Sequence, residues 1–157
     1  MKNILFVCTG NIFRSMIAEH ALKRELGEHS PYCVASVGTR AEPQAMVPLV
    51  LDCLQQRGLD PTGHQQRRIT PELYVEADLL VVMGRDHQQY IAAHFGEHPP
   101  LFNEICHQRC EAVLDTNEAV PDFAQNPTAR DLHIRFVVDH ICDSIPAFME
   151  NVPRYIV

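Results

Sequence analysis

One stretch restricts this chain more than any other: Ile4-Leu-Phe-Val-Cys-Thr-Gly-Asn-Ile-Phe-Arg-Ser15. The apolar run Ile4 to Val7 reads as a strand buried on both faces of a parallel sheet. Helical spacing of apolar residues begins at about Phe13. A strand that turns through a tight loop into a helix aims backbone amides and the positive end of the helix dipole at one point, which suits an anion. Cys8 stands where the strand ends, so its sulfur lies on the floor of that site. Amides from Thr9 to Ser15 can form an oriented nest, and Arg14 adds a planar fork that grips two phosphate oxygens. The same donors favour a thiolate, the nucleophilic form of a cysteine. Ser15 can donate its hydroxyl to the sulfur. Gly10 and Asn11 supply the backbone freedom that a tight loop requires.

The rest of the chain sets bounds. Its 157 residues suffice for one domain with a real core, so a single domain over residues 1–157 is expected. A formal net charge of −7 argues against nucleic acid as a general partner. No apolar run approaches a membrane span, and Met1-Lys2-Asn3 leads straight into a core strand without a signal-peptide pattern. Membrane insertion is therefore not expected, and a cytoplasmic location is. The six cysteines are irregularly spaced, which fits reduced thiols better than a disulfide framework.

Strands and helices alternate along the chain. A helix is expected from Phe13 to Leu26, a strand from Tyr32 to Ser36, and a helix from Pro48 to Arg57. A short helix capped by Thr70 and Pro71 follows. A third strand spans Asp78 to Met83, a helix Asp86 to His94, and a short fourth strand Leu101-Phe102. The last helix opens at Asn126-Pro127-Thr128, with Thr128 and Asp131 as a capping box; Pro146 should kink it or end its regular part. This alternation implies an α/β fold, a parallel sheet layered between helices on both faces. Cys106-His107-Gln108-Arg109-Cys110, with His94 and His98 nearby, does not have the spacing of a zinc site, and no metal is expected.

Val7-Cys8-Thr9-Gly10-Asn11-Ile12-Phe13-Arg14-Ser15 resembles the signature loop of the low-molecular-weight protein tyrosine phosphatases. Ser36-Val37-Gly38-Thr39, Gly63-His64 with Arg68-Ile69-Thr70, and Val120-Pro121-Asp122-Phe123 resemble that family's later blocks, in the same order. The resemblance implies four strands in flavodoxin-like order 2-1-3-4. It implies hydrolysis of phosphotyrosine without a cofactor, through a phosphocysteine on Cys8. Thr9, Gly10, Asn11, Ile12, Phe13, Arg14 and Ser15 would bind the phosphate. Asp122 would be the general acid and base, with Asp115 in reserve. Ser36 and His64 would hold the loop, together with Asn11 and Ser15. The implied partner is a phosphotyrosine protein, for example a tyrosine kinase. Ile12 matches the phosphotyrosine type, because members acting on phosphoarginine carry Thr there.

The chain departs from the pattern in several places. Met16 replaces a proline, and Phe13 stands where many members have a second loop cysteine. Met83-Gly84 replaces Met-Asp, so the supporting acid is either missing or replaced by Asp86. Phe123, Ala124 and Gln125 replace a proline and tyrosines, and Arg40 to Val47 offers no aromatic for the cleft wall. Two other readings follow. Arsenate reductases of the same fold need two cysteines just after the third strand; Met83-Gly84-Arg85-Asp86-His87 has none, so Cys106 and Cys110 would have to serve. A phosphoprotein-binding module that does not hydrolyse is the other.

Overall fold

The computed structural model describes residues 1–157. Its sheet is parallel, with β1 (Lys2–Cys8) between β2 (Tyr32–Gly38) and β3 (Leu79–Val82), so the order is 2-1-3. Helices α1 (Arg14–Leu26), α2 (Pro48–Gln56) and α3 (Pro71–Glu76) link the strands, and α4 (Arg85–Phe95), α5 (Phe102–His107), α6 (Thr116–Ala119) and α7 (Pro127–Asn151) follow.

The period-2 alternation of β1 sorts the core into two layers. Ile4, Phe6 and Cys8 pack with Met16, Ile17, Leu54, Ile105, Val138 and Phe148 on one face. Leu5 and Val7 pack with Val37, Ile69, Leu80, Val82 and Ile91 on the other. The sheet is thus covered on both sides, and Cys8 belongs to the side of α1 and α7. At the carboxyl edge of β1 and β2 the chains lie very close. Gly38 is the partner of Cys8, and a Cβ there would fall 2.3 Å from the Thr9 carbonyl oxygen. Only glycine fits at that point.

The expected fourth strand at Leu101-Phe102 does not form; the sheet has three strands. Leu101 makes one isolated parallel bridge to Val82, and α5 starts at Phe102. Val82 donates to the Pro100 carbonyl at 3.0 Å, but Pro99 and Pro100 have no amide to continue a ladder. The Leu101 amide, the next available donor, is taken by the Glu104 carboxylate at 3.1 Å as a helix cap. A residue three positions on therefore wins the donor that a strand would have needed.

Helix α7 also departs from expectation at both ends. Its cap is Asn126, whose side-chain oxygen accepts from the Ala129 amide at 3.2 Å, rather than a Thr128–Asp131 box. Pro127 then takes the first helical position, where a missing amide costs nothing. Pro146 lies inside α7, which continues to Asn151. Ile141, Ile145 and Phe148 are all fully buried around it. That shared burial outweighs one lost backbone hydrogen bond.

Candidate active site

The loop from Thr9 to Phe13 joins β1 to α1 and is built by its own sequence. Asn11 adopts φ 56°, the left-handed conformation, which asparagine tolerates better than most residues. Gly10 does not have a positive φ, so Asn11 alone makes the turn. The amides of Gly10, Ile12 and Phe13 donate to no protein acceptor. Helix α1 begins with Phe13 at its N-cap and no side-chain cap, so its first amides remain available to a ligand.

Cys8 sits at the centre of this cup. Its Sγ lies 2.8 Å from Ser15 Oγ and accepts from the Asn11 amide at 3.3 Å. Arg14 is 1% exposed. It donates through Nη1 to the Val113 carbonyl at 2.8 Å, and its Nη2 lies 3.4 Å from an Asp115 carboxylate oxygen. Its Nε is the one buried side-chain polar atom with no partner. A buried donor left unpaired costs about 1–3 kcal/mol, a cost that an oxyanion bound beside Cys8 removes. Cys8, Gly10, Ile12, Phe13 and Arg14 line the floor of a cavity of about 830 Å³, whose walls include Gln44, Val47, Asp115 and Phe123.

A buried polar frame fixes the loop from below. Asn11 Nδ2 donates to Ser36 Oγ at 2.8 Å and to Ser15 Oγ at 3.1 Å. Asn11 Oδ1 accepts from the Arg67 amide at 2.9 Å. His64 Nε2 donates to the Asn11 carbonyl at 2.7 Å. Asn11, Ser15, Ser36 and His64, which the sequence reading grouped as loop supports, thus meet in one network. Two residues that it passed over join them. Ser36 donates to Glu19 Oε1 at 2.5 Å, and Gln66 donates to the Gly10 carbonyl at 2.7 Å. Glu19 lies one turn along α1 from Ser15, and that i+4 spacing was its only sequence signal.

His87 takes the place expected of an acid after β3. Its Nδ1 accepts from the Gly84 amide at 2.9 Å, and its Nε2 lies 2.9 Å from Thr9 Oγ1. With Nδ1 accepting, neutral His87 carries its hydrogen on Nε2 and donates it to Thr9. Asp86, the expected substitute, is exposed, with its carboxylate 3.6 Å from His87 Nε2. Burial and the Arg14 guanidinium hold the His87 imidazole down to about 4. An unfolded chain takes up that proton near pH 6.5. His87 therefore contributes stability that is complete above pH 6.5 and is lost as pH falls toward 4. In urea unfolding, the drop in stability between pH 7 and pH 4 should be smaller in His87→Gln, by up to about 3 kcal/mol. An equal drop in both proteins would exclude His87 as a contributor.

The two candidate acids are separated by the structure. Asp115 lines the cavity with Cys8 and Arg14. One of its oxygens caps α6 by accepting from the Thr116 amide at 2.9 Å, while the other faces Arg14. Glu118 closes a capping box onto the Asp115 amide at 2.9 Å. Asp122 is exposed on the turn before α7 and does not line the cavity, although its neighbours Phe123 and Ala124 do.

The other cysteines lie apart from this centre. Cys106 is buried in α5, and burial pushes its thiol up to about 12. Cys110 is exposed, and all six cysteines are free.

Comparison with known proteins places this arrangement among relatives. Residues 3–154 match the family model described as low molecular weight phosphotyrosine protein phosphatase. The chain is 37% identical, over 57% of its length and 62% of the relative's, to the low molecular weight protein-tyrosine-phosphatase Ptp of Acinetobacter johnsonii. It is 35% identical, over 61% of its length and 65% of the relative's, to a protein-arginine-phosphatase of Bacillus subtilis. These matches span less than two thirds of those curated relatives. Among solved structures, a low molecular weight protein tyrosine phosphatase from Bacillus subtilis superposes with a TM-score of 0.75 at 26% identity, covering 97% of each chain. The YwlE arginine phosphatase with a phosphorylated active-site serine in place of cysteine does so with a TM-score of 0.76 at 25% identity, covering 97% of this chain and 96% of that one.

Proposed function

The chain belongs to the low molecular weight phosphotyrosine protein phosphatase family, and on that premise we propose that it hydrolyses phosphotyrosine in a protein substrate through a phosphocysteine on Cys8. The observation that carries this reading is the buried Arg14, with its unpartnered Nε, beside a Cys8 sulfur that already accepts a loop amide.

In the first step the Cys8 thiolate attacks phosphorus in line with the leaving oxygen. The S–P bond forms as the P–O bond to the tyrosyl ring breaks. Asp115, protonated from solvent on the oxygen that the bound phosphate displaces from Arg14, gives that proton to the leaving oxygen, so tyrosine leaves neutral. Arg14 and the free amides of Gly10, Ile12 and Phe13 stabilise the equatorial oxygens in the transition state. In the second step the Asp115 carboxylate takes a proton from water as water attacks phosphorus. The S–P bond breaks, phosphate leaves, and the thiolate is restored. Apart from the attacking water, every catalytic group in the scheme belongs to the chain itself. Asp115 rather than Asp122 receives the acid role because it lies in the cavity beside Arg14.

One domain over residues 1–157 would carry the activity. Six unpaired cysteines accord with a reducing cytoplasmic setting, and no helix is long and apolar enough to cross a membrane. A tyrosine kinase is one protein of the required chemistry.

Phosphoarginine is the second reading, favoured by the arginine phosphatases among the relatives. Ile12 on the cavity floor favours the ring of tyrosine, since its branched side chain packs against a flat apolar face. Reduction of arsenate is opposed by the burial of Cys106 and its raised thiol. A binding role without hydrolysis is opposed by the intact Cys8, Ser15 and Arg14. The test is to measure kcat/KM on matched phosphotyrosine and phosphoarginine peptides. Phosphotyrosine should be preferred by about tenfold or more. A reversed preference would transfer the reading to phosphoarginine, and hydrolysis of neither would overturn it.

A further inference from the structure

Behind the signature loop, on the side away from the cavity, three metal-ligating groups converge. They are the Glu19 carboxylate, His20 and His64, whose donor atoms all lie within 4.8 Å of one another. From this geometry we propose that Glu19, His20 and His64 bind a zinc ion, with water completing a tetrahedral shell. The ion is held by the back of the phosphate loop and takes no part in the chemistry on Cys8.

The distances favour zinc. His20 Nε2 and His64 Nδ1 lie 3.4 Å apart. Two nitrogens bound to one tetrahedral zinc, each at about 2.0–2.1 Å from the metal, stand about 3.4 Å apart. The two rings already hold that edge of the tetrahedron. The Glu19 ligand oxygen lies within 4.8 Å of both nitrogens, so binding requires only a shift of its carboxylate toward the third corner.

The protonation pattern is also set. His64 donates its Nε2 hydrogen to the Asn11 carbonyl at 2.7 Å, which leaves the lone pair on Nδ1 facing His20. A ligating imidazole that donates its other N–H to a backbone carbonyl is the usual outer-shell arrangement of a zinc site. Glu19 Oε2 accepts from Lys23 and its Oε1 accepts from Ser36, each at 2.5 Å.

Binding replaces two interactions and leaves a third. The zinc replaces the hydrogen bond between the rings, and His20 moves its hydrogen to Nδ1. Lys23, whose ammonium lies 2.5 Å from Glu19 Oε2 and whose side chain is half exposed, swings into solvent. The Ser36 bond to Glu19 Oε1 remains. Through His64 the charge of the ion reaches the Asn11 carbonyl, and so the loop.

The test is equilibrium binding by the reduced, metal-stripped protein, with no substrate present. Zn²⁺ is titrated in competition with a chromogenic chelator, and Co²⁺ by its visible spectrum. Wild type should bind one ion, and Cys8→Ser should match it within about threefold. His20→Ala and the milder His20→Gln should each bind roughly tenfold or more weakly. The Co²⁺ complex should show tetrahedral bands without thiolate charge transfer. Absence of stoichiometric binding would overturn the proposal. So would thiolate bands, or binding lost in Cys8→Ser and kept in His20→Gln. Because nothing turns over, the outcome is independent of the proposed phosphatase reading.

Discussion

Replacing Cys8 with serine is expected to lower turnover of an aryl phosphate by about 10⁴-fold or more, while oxyanion binding survives. The two halves of the expectation rest on different atoms. Turnover needs a nucleophile that is ionised and polarisable, and a serine hydroxyl in this cup is neither. No general base stands beside residue 8; its side-chain neighbour is the Ser15 hydroxyl at 2.8 Å. Binding instead depends on Arg14, buried and short of one acceptor, and on loop amides that donate to no protein group. Serine disturbs neither. Vanadate or phosphate affinity, measured by protection against thermal unfolding, should therefore change by less than about tenfold. Turnover within tenfold of wild type would remove Cys8 as the nucleophile. Loss of oxyanion binding along with turnover would mean that the sulfur itself, rather than the amide cup, holds the ligand.

The same division between backbone and distant side chains explains what the sequence made visible. The strand, the loop and the start of α1 were legible because each is determined within a few residues: an apolar run, an asparagine that accepts φ 56°, and an arginine at the helix start. Asn11, Ser36 and His64 were recoverable because family blocks fixed their order along the chain. His87 was not, because nothing local distinguishes a histidine near a helix start from one that reaches across to Thr9. Leu101-Phe102 misled for a related reason. The apolar pair suited a strand, but Glu104 captured the Leu101 amide and two prolines withheld theirs. Pro146 was judged by local propensity, and the burial of Ile141, Ile145 and Phe148 overrode it.

The proposed general acid is where motif and geometry part, and its replacement gives the second large effect. Val120-Pro121-Asp122 matches the family block, yet Asp122 is exposed and only its neighbours Phe123 and Ala124 line the cavity. Asp115 has a weaker motif but a fixed position. Its carboxylate caps α6, its amide is held by Glu118, and its second oxygen faces Arg14 at 3.4 Å. An acid must lie within hydrogen-bond reach of the leaving oxygen, and positioned acids contribute about 10²–10⁴-fold. Asp115→Asn, which keeps the shape and removes the transferable proton, should lower kcat on an alkyl or phenyl phosphate by about 100-fold or more. On a nitrophenyl phosphate, whose leaving group needs little protonation, the loss should be much smaller. Asp122→Asn should leave kcat on both substrates within about threefold. A substitution at 115 that merely disturbed Arg14 would weaken both substrates equally, so the leaving-group contrast isolates proton transfer. If the contrast follows Asp122→Asn instead, the turn before α7 must close over the cavity during catalysis, carrying its aspartate in with Phe123.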